Sequence, residues 1–136
     1  MKTRIELIKV EEIIKSIQNE NELFNKIMPF IKSIDQYAFR NSQFRGEFNC
    51  PNLQAVGNGA FVSSQFTGEF NCPKMQTIGQ YAFANSNFTK ITIGANATLG
   101  TGCIGAHSEE FINDYEANGR QAGTYVWNGE HWIYQK

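Results

Sequence analysis

Phe39, Phe61 and Phe83 are spaced 22 residues apart twice over, and their surroundings travel with them. The segments read Tyr37-Ala38-Phe39, Gly59-Ala60-Phe61 and Tyr81-Ala82-Phe83, and a second phenylalanine follows each after five residues, at Phe44, Phe66 and Phe88. Two copies share Gly-Glu-Phe-Asn-Cys-Pro outright, at Gly46–Pro51 and Gly68–Pro73. Apolar residues at constant offsets with a period in the twenties specify a stack of like coils, because each unit buries its apolar side only against its neighbours. Such a stack offers an extended surface, the kind used to bind other molecules.

The copies phase on their turns. Pro29-Phe30-Ile31-Lys32-Ser33-Ile34 aligns with Pro51-Asn52-Leu53-Gln54-Ala55-Val56 and with Pro73-Lys74-Met75-Gln76-Thr77-Ile78. A fourth copy, Gly94-Ala95-Asn96-Ala97-Thr98-Leu99, follows after 21 residues. Phe66 precedes Phe70 by four residues, whereas Phe88 precedes Ile91 by three, so the lost residue is expected just ahead of the strand. With that gap, Phe48-Asn49-Cys50, Phe70-Asn71-Cys72 and Ile91-Thr92-Ile93 align and alternate as half-buried strands. The next copy places Cys103 in the slot of Ala60 and Ala82.

Both ends of a solenoid expose apolar faces and need caps. Residues 1–28 are expected to form a helical cap, from Ile5, Ile8, Ile13 and Ile17 near helical spacing and a second turn capped by Asn21 and stopped by Pro29. A short strand over Arg4–Ile8 is the alternative. The repeats then occupy residues 29–107, and residues 108–136 form the second cap. There Ser108 with Glu109 and Glu110 starts a helix, Phe111 and Tyr115 share a face, and Asn118-Gly119 stops it. Thr124–Trp127 and Glu130–Tyr134 read as a hairpin on a two-residue Asn128-Gly129 turn, with Tyr125 opposite Trp132 and Val126 opposite His131.

The totals fit one domain of 136 residues. With 12 basic and 13 acidic residues the net charge is −1, so no global field favours nucleic acid or an anionic membrane. No apolar run approaches the ~20 residues of a membrane span. Glu6, Lys9, Glu11 and Glu12 break the N-terminal stretch, which is not a signal peptide's apolar core. The sequence by itself therefore reads as cytoplasmic.

Ile78-Gly79-x-x-Ala82-Phe83 followed by Phe88-Thr89-Lys90-Ile91-Thr92-Ile93 resembles the BspA-like (Treponema-type) leucine-rich repeat, with its IGxxAFxxC and LxxIxIP pattern. Phe111-x-x-x-Tyr115, Gly119–Tyr125 and Trp132 are similar to the segment that often closes such arrays. The likeness spans roughly residues 29–132. It departs where Ser42, Ser64 and Ser86 replace the usual Cys and Phe44, Phe66 and Phe88 replace Leu. What the resemblance implies is an α/β fold: a short right-handed leucine-rich-repeat solenoid, capped by N-terminal helices and a C-terminal helix plus hairpin. It also implies a surface or secreted protein of bacteria or some protists, acting in adhesion and protein binding.

Candidate chemistry weighs against an enzyme. Three cysteines are too few for a disulfide framework. Cys50 and Cys72 align with Ile93 and are expected to stack inside the core. A bridge between them is conceivable at the ~4.8 Å spacing of strands, but buried thiols are favoured. Cys103 and His107 stand four apart without the second ligand pair that zinc needs, or a group to orient a Cys–His nucleophile. Glu47 and Glu69 repeat at one position with Lys90 continuing the row, and the solvated reading is favoured over acid–base work or calcium. Gly57-x-Gly59 and Gly100-x-Gly102 recur at the repeat turn without a phosphate loop's strand–helix context. No catalytic, cofactor or metal site is assigned, and no cofactor is expected.

Asn49, Asn71 and Thr92 alternate with the inward residues and should face outward, where a hydrogen-bonded ladder is the structural reading. A recognition strip is expected from Arg45, Glu47, Asn49, Thr67, Glu69, Asn71, Lys90 and Thr92, serving a protein partner. Tyr125, Trp127, Trp132 and Tyr134 form a second aromatic cluster. Packing as a cap is favoured for it, and a glycan site on that hairpin is the alternative.

Overall fold

The computed structural model describes Lys26 and residues 28–136. The N-terminal helical cap expected over residues 1–28, and the alternative strand there, lie outside the described residues except at Lys26 and Met28. Met28–Phe30 is one turn of 3-10 helix with Met28 buried. The first three coils then contribute one short and one long strand each, and the fourth contributes a short strand alone. The short strands β1 (Ser33–Ile34), β3 (Ala55–Val56), β5 (Thr77–Ile78) and β7 (Thr98–Leu99) form a parallel sheet in the order β1-β3-β5-β7. Their register runs Ile34, Val56, Ile78, Leu99, which is the phasing read from the prolines and Gly94.

The long strands β2 (Arg45–Asn49), β4 (Gln65–Asn71) and β6 (Asn87–Ile93) pair in parallel. Turns, not helices, make the connections between coils. A glycine is required at 57, 79 and 100, because a Cβ there would stand 2.3 Å from Gln36 N, 2.4 Å from Asn58 Oδ1 and 2.6 Å from Gln80 N respectively. The turns of successive coils thus pack backbone against backbone.

The long strands are longer than the three-residue alternation suggests, and each contains an irregularity. Gly46 pairs with Phe66 but Phe48 pairs with Phe70, a slip of two residues. Between β4 and β6 the slip is one: Gly68 faces Phe88 and Glu69 faces Lys90. Gly46 and Gly68 sit at these slips with φ of 85° and 76°, a conformation that costs glycine little. Strand β6 has no counterpart to them. The residue missing from the third copy is thus the slip glycine inside the strand, not a residue ahead of it. Beyond the slip, Phe70, Asn71 and Glu69 face Ile91, Thr92 and Lys90, as the alignment predicts.

Three columns of phenylalanine fill the interior. Phe39, Phe61 and Phe83 stack at centroid distances of 5.2 Å. Phe44, Phe66 and Phe88 stack at 6.2 Å, and Phe48 stacks on Phe70 at 5.5 Å. Edge-to-face contacts join the columns, as between Phe48 and Phe83 at 4.9 Å. Two buried serines staple neighbouring coils. Ser64 Oγ accepts from Phe44 N–H (3.2 Å) and donates to Ser42 O (3.3 Å). Ser86 Oγ repeats this with Phe66 N–H (3.0 Å) and Ser64 O (3.3 Å).

The C-terminal cap is helix α1 (Ser108–Ala117) followed by β8 (Gly123–Trp127) and β9 (Trp132–Gln135). His107, left-handed at φ 61°, is the N-cap, and it makes no side-chain cap bond. The hydroxyl of Ser108 instead turns back, donating to Gly105 O (2.6 Å) and accepting from Ile104 N–H (3.1 Å). The predicted stop holds: Gly119 N–H donates to Glu116 O and Arg120 N–H to Tyr115 O, a Schellman ending with Gly119 left-handed. Tyr115 Oη donates to Gly94 O (2.6 Å) and accepts from Ala97 N–H (2.9 Å). Arg120 Nη2 donates to Asn96 O (2.9 Å) and Ala97 O (2.7 Å). The cap is thereby fastened to the last coil's turn.

The hairpin is in a different register from the one expected. Trp127 faces Trp132, Val126 faces Ile133 and Tyr125 faces Tyr134, so the loop holds four residues, not two. Asn128 Oδ1 accepts from the N–H groups of both Glu130 (2.9 Å) and His131 (2.8 Å), an arrangement a two-residue turn has no room for. Strand β8 pairs antiparallel with β6. Among the described residues the large sheet therefore has five strands, in the order β2-β4-β6-β8-β9.

Candidate functional site

Alternation decides which side chains the large sheet presents. Phe48, Phe70, Ile91 and Tyr125 are paired along one inward row and fully buried. Their neighbours form two outward rows. One runs Asn49, Asn71, Thr92, Thr124, Gln135. The other runs Glu69, Lys90, Val126, Ile133. Of the expected strip, Arg45, Glu47, Asn49, Thr67 and Lys90 are exposed, while Glu69, Asn71 and Thr92 are half-buried.

Its electrostatics are local and balanced. Lys90 Nζ lies 3.4 Å from Glu69 Oε2. The Glu47 carboxylate folds over Gly68, 3.2 Å from where a Cβ would stand. Thr92 Oγ1 is 2.7 Å from Thr124 Oγ1, a hydrogen bond joining repeat to cap. At the rim, a cleft of about 230 Å³ is lined by Gln43, Phe44, Arg45, Ser63 and Gln65. Sequence reasoning did not anticipate Thr124, Val126, Ile133 and Gln135 on this face. The available signal was the alternation of Thr124 and Val126 with Tyr125 and Trp127; what it lacked was the β6–β8 pairing.

The aromatic cluster of the hairpin lies on the inward side. Tyr125 and Trp132 are buried, and Phe111 meets them edge-on at 5.6 and 5.3 Å. Trp127, half-buried, stacks on His107 at 4.1 Å. Tyr134 Oη donates to Ala122 O (2.9 Å). Asp114 ties the hairpin to α1, its Oδ2 accepting from Trp132 N–H at 2.7 Å and its Oδ1 lying 3.2 Å from His131 Nδ1.

The thiols of Cys50, Cys72 and Cys103 are free and fully buried. Burial, with the Cys50 sulfur beside it, pushes Cys72 far above the ordinary thiol range. Burial pushes Cys103 up to about 12. A neutral buried thiol is a poor nucleophile and ligand, and His107 lies with its Nδ1 3.5 Å from Glu110 Oε2. Among the described residues, no group of three or more His, Cys, Asp or Glu is placed to hold a metal ion. No helix among them is long and apolar enough to cross a membrane.

Coils of one short and one long parallel strand, stacked on columns of like residues, define a short leucine-rich-repeat solenoid with a C-terminal cap. The model of the BspA type leucine rich repeat region matches residues 2–109 in 6 copies, and the chain belongs to that family. No curated protein and no solved structure matches the chain. Repeat proteins of this class typically serve protein interaction and are typically non-enzymatic.

Proposed function

We propose that the chain is a non-enzymatic, adhesion-type module that binds a protein partner through the outward face of its large sheet. The observation that carries this reading is that one continuous, charge-balanced polar face crosses all five strands, with Arg45 and its rim cleft at one end and Val126 and Ile133 at the other. Four spacings of ~4.8 Å make the face about 20 Å wide, and five to seven residues make it about as long. That is a footprint of roughly 400 Å², short of the ~600 Å² per partner at which standard interfaces begin, so a partner has to cover the rim as well. Contact there runs through Arg45, Glu47, Asn49, Thr67, Glu69, Asn71, Lys90 and Thr92. Affinity then comes from hydrogen bonding and shape, with charge setting register more than strength.

The test is affinity capture from the source organism by the native chain and by a double variant, Arg45→Glu with Lys90→Glu. A protein retained by the first and lost by the second, at unchanged melting temperature, supports the reading. Retention by both removes it.

A further inference from the structure

Among the described residues four coils share a corner just after the short strands, occupied in turn by Tyr37, Gly59, Tyr81 and Gly102. All four are left-handed, with φ of 58°, 60°, 55° and 64°. For glycine this conformation is easy; for a residue with a Cβ it is strained. The turn itself therefore does not call for tyrosine. Nor does the core, since Tyr37 and Tyr81 are 51% and 53% exposed. Strained, exposed aromatic residues at positions where glycine serves equally well point to a role at the surface.

The two rings share one pose. Tyr37 meets Gly59 along one ring edge, with Cε1 and Cδ1 2.5 and 2.7 Å from the place of a Cβ there. Tyr81 meets Gly102 in the same way, with Cδ1 and Cε1 at 2.6 and 2.8 Å. Being two coils apart, they are separated by about 10 Å, twice the strand spacing. Gly59, between them, puts no side chain in the way. The preceding residues, Gln36, Asn58 and Gln80, are exposed at one repeat position, with Asn58 Oδ1 accepting from Gln80 N–H at 2.8 Å. Arg40 stands over Tyr37, its guanidinium carbon 5.8 Å from the ring centre. Ala84 takes the same offset from Tyr81, which leaves that ring the more open.

We propose that Tyr37 and Tyr81 are a stacking platform for an extended polysaccharide whose alternate sugars show the same face, as in β-1,4-linked glucan or N-acetylglucosamine chains. Two sugar residues of such a chain span the distance between the rings. The C–H groups on one face of a β-pyranose meet the negative face of an aromatic ring. Amide and guanidinium groups beside the rings suit the hydroxyls of the sugar. The site is separate from the sheet face and from the hairpin aromatics, and does not depend on the protein-binding reading.

Calorimetric titration with cellohexaose and N-acetylchitohexaose tests this, with maltohexaose as the linkage control. The native chain should bind at least one β-1,4 hexaose and not maltohexaose. Tyr81→Gly should weaken binding about tenfold or more, the scale of one lost aromatic contact, and Tyr37→Gly by less. Either change should lower the melting temperature by no more than a few degrees, because relief of the left-handed strain offsets the lost ring contact and the freer unfolded chain. Tyr81→Trp should restore or strengthen binding, and Arg45→Glu should leave it unmoved. No binding of either β-1,4 hexaose, equal binding of maltohexaose, or full binding by Tyr81→Gly would overturn the proposal. Binding of an extended peptide by these tyrosines in place of any glycan would overturn it too.

Discussion

Replacing Phe61 by alanine removes a ring from the middle of the phenylalanine columns. Its ring is fully buried and has Phe39 and Phe83 stacked on either side at 5.2 Å. Phe48, Phe66 and Phe44 close around it at 5.3, 5.5 and 6.0 Å. A phenylalanine buries on the order of 150 Å² or more, which at ~25 cal/mol per Å² amounts to about 4 kcal/mol. Truncation of large buried aromatics costs about 3–5 kcal/mol. Against a typical total stability of roughly 5–15 kcal/mol, this leaves a marginal fold. In a chain of this size the midpoint should fall by roughly 10–20 °C. The paired control is Glu69→Ala, whose ion pair with Lys90 is at the surface and contributes less than about 1 kcal/mol. Guanidinium unfolding followed by circular dichroism measures both. Hydrogen exchange should also show lost protection at the amides of Phe39 and Phe61, which bond to Ala60 O and Ala82 O in the next coil. Similar losses for Phe61→Ala and Glu69→Ala would refute the coil assignment.

Ser86→Ala should cost about 1–3 kcal/mol by denaturant titration, because it removes the buried hydroxyl that accepts from Phe66 N–H and donates to Ser64 O. Tyr115→Phe should cost a similar amount by orphaning Gly94 O and Ala97 N–H, and should loosen the cap before the coils. The thiols should be inert to Ellman's reagent in the native chain and should make stability fall at high pH. Folding holds Cys103 neutral up to about 12, while an unfolded thiol ionises at its ordinary 9.0. The stabilisation is therefore complete below about 9 and is lost as pH rises towards 12, Cys72 acting in the same direction. A midpoint that rises over that range would contradict the assignment.

The phenylalanine columns were legible because a strict period places like residues one above another, whatever the local backbone does. Cys50 and Cys72 were legible as core through alignment with Ile93, and all three residues are buried. The gap in the third copy could be bracketed between Phe88 and Ile91. Only the structure shows that it removes a left-handed glycine and reduces the slip from two residues to one. The hairpin register escaped local reading because Asn-Gly favours a two-residue turn, while Asp114, far away in sequence, holds Trp132 N–H and Asn128 closes a longer loop. The proposed recognition face was half legible. Its repeat portion follows from alternation, but its extension onto Thr124, Val126, Ile133 and Gln135 depends on a pairing between β6 and β8 that no short motif encodes. Tyr37 and Tyr81 open two of the repeated segments, but aligned with Gly59 and Gly102 they read as a variable position with no role assigned.

The central claim is that binding takes place on the outward face of the five-stranded sheet. Backbone amide shifts recorded on the labelled chain, with and without its captured protein partner, test it most directly. The account predicts perturbations concentrated at Arg45, Glu47, Thr67, Glu69 and Lys90 and continuing to Val126 and Ile133. Perturbations confined to α1 or to the short-strand sheet would contradict it.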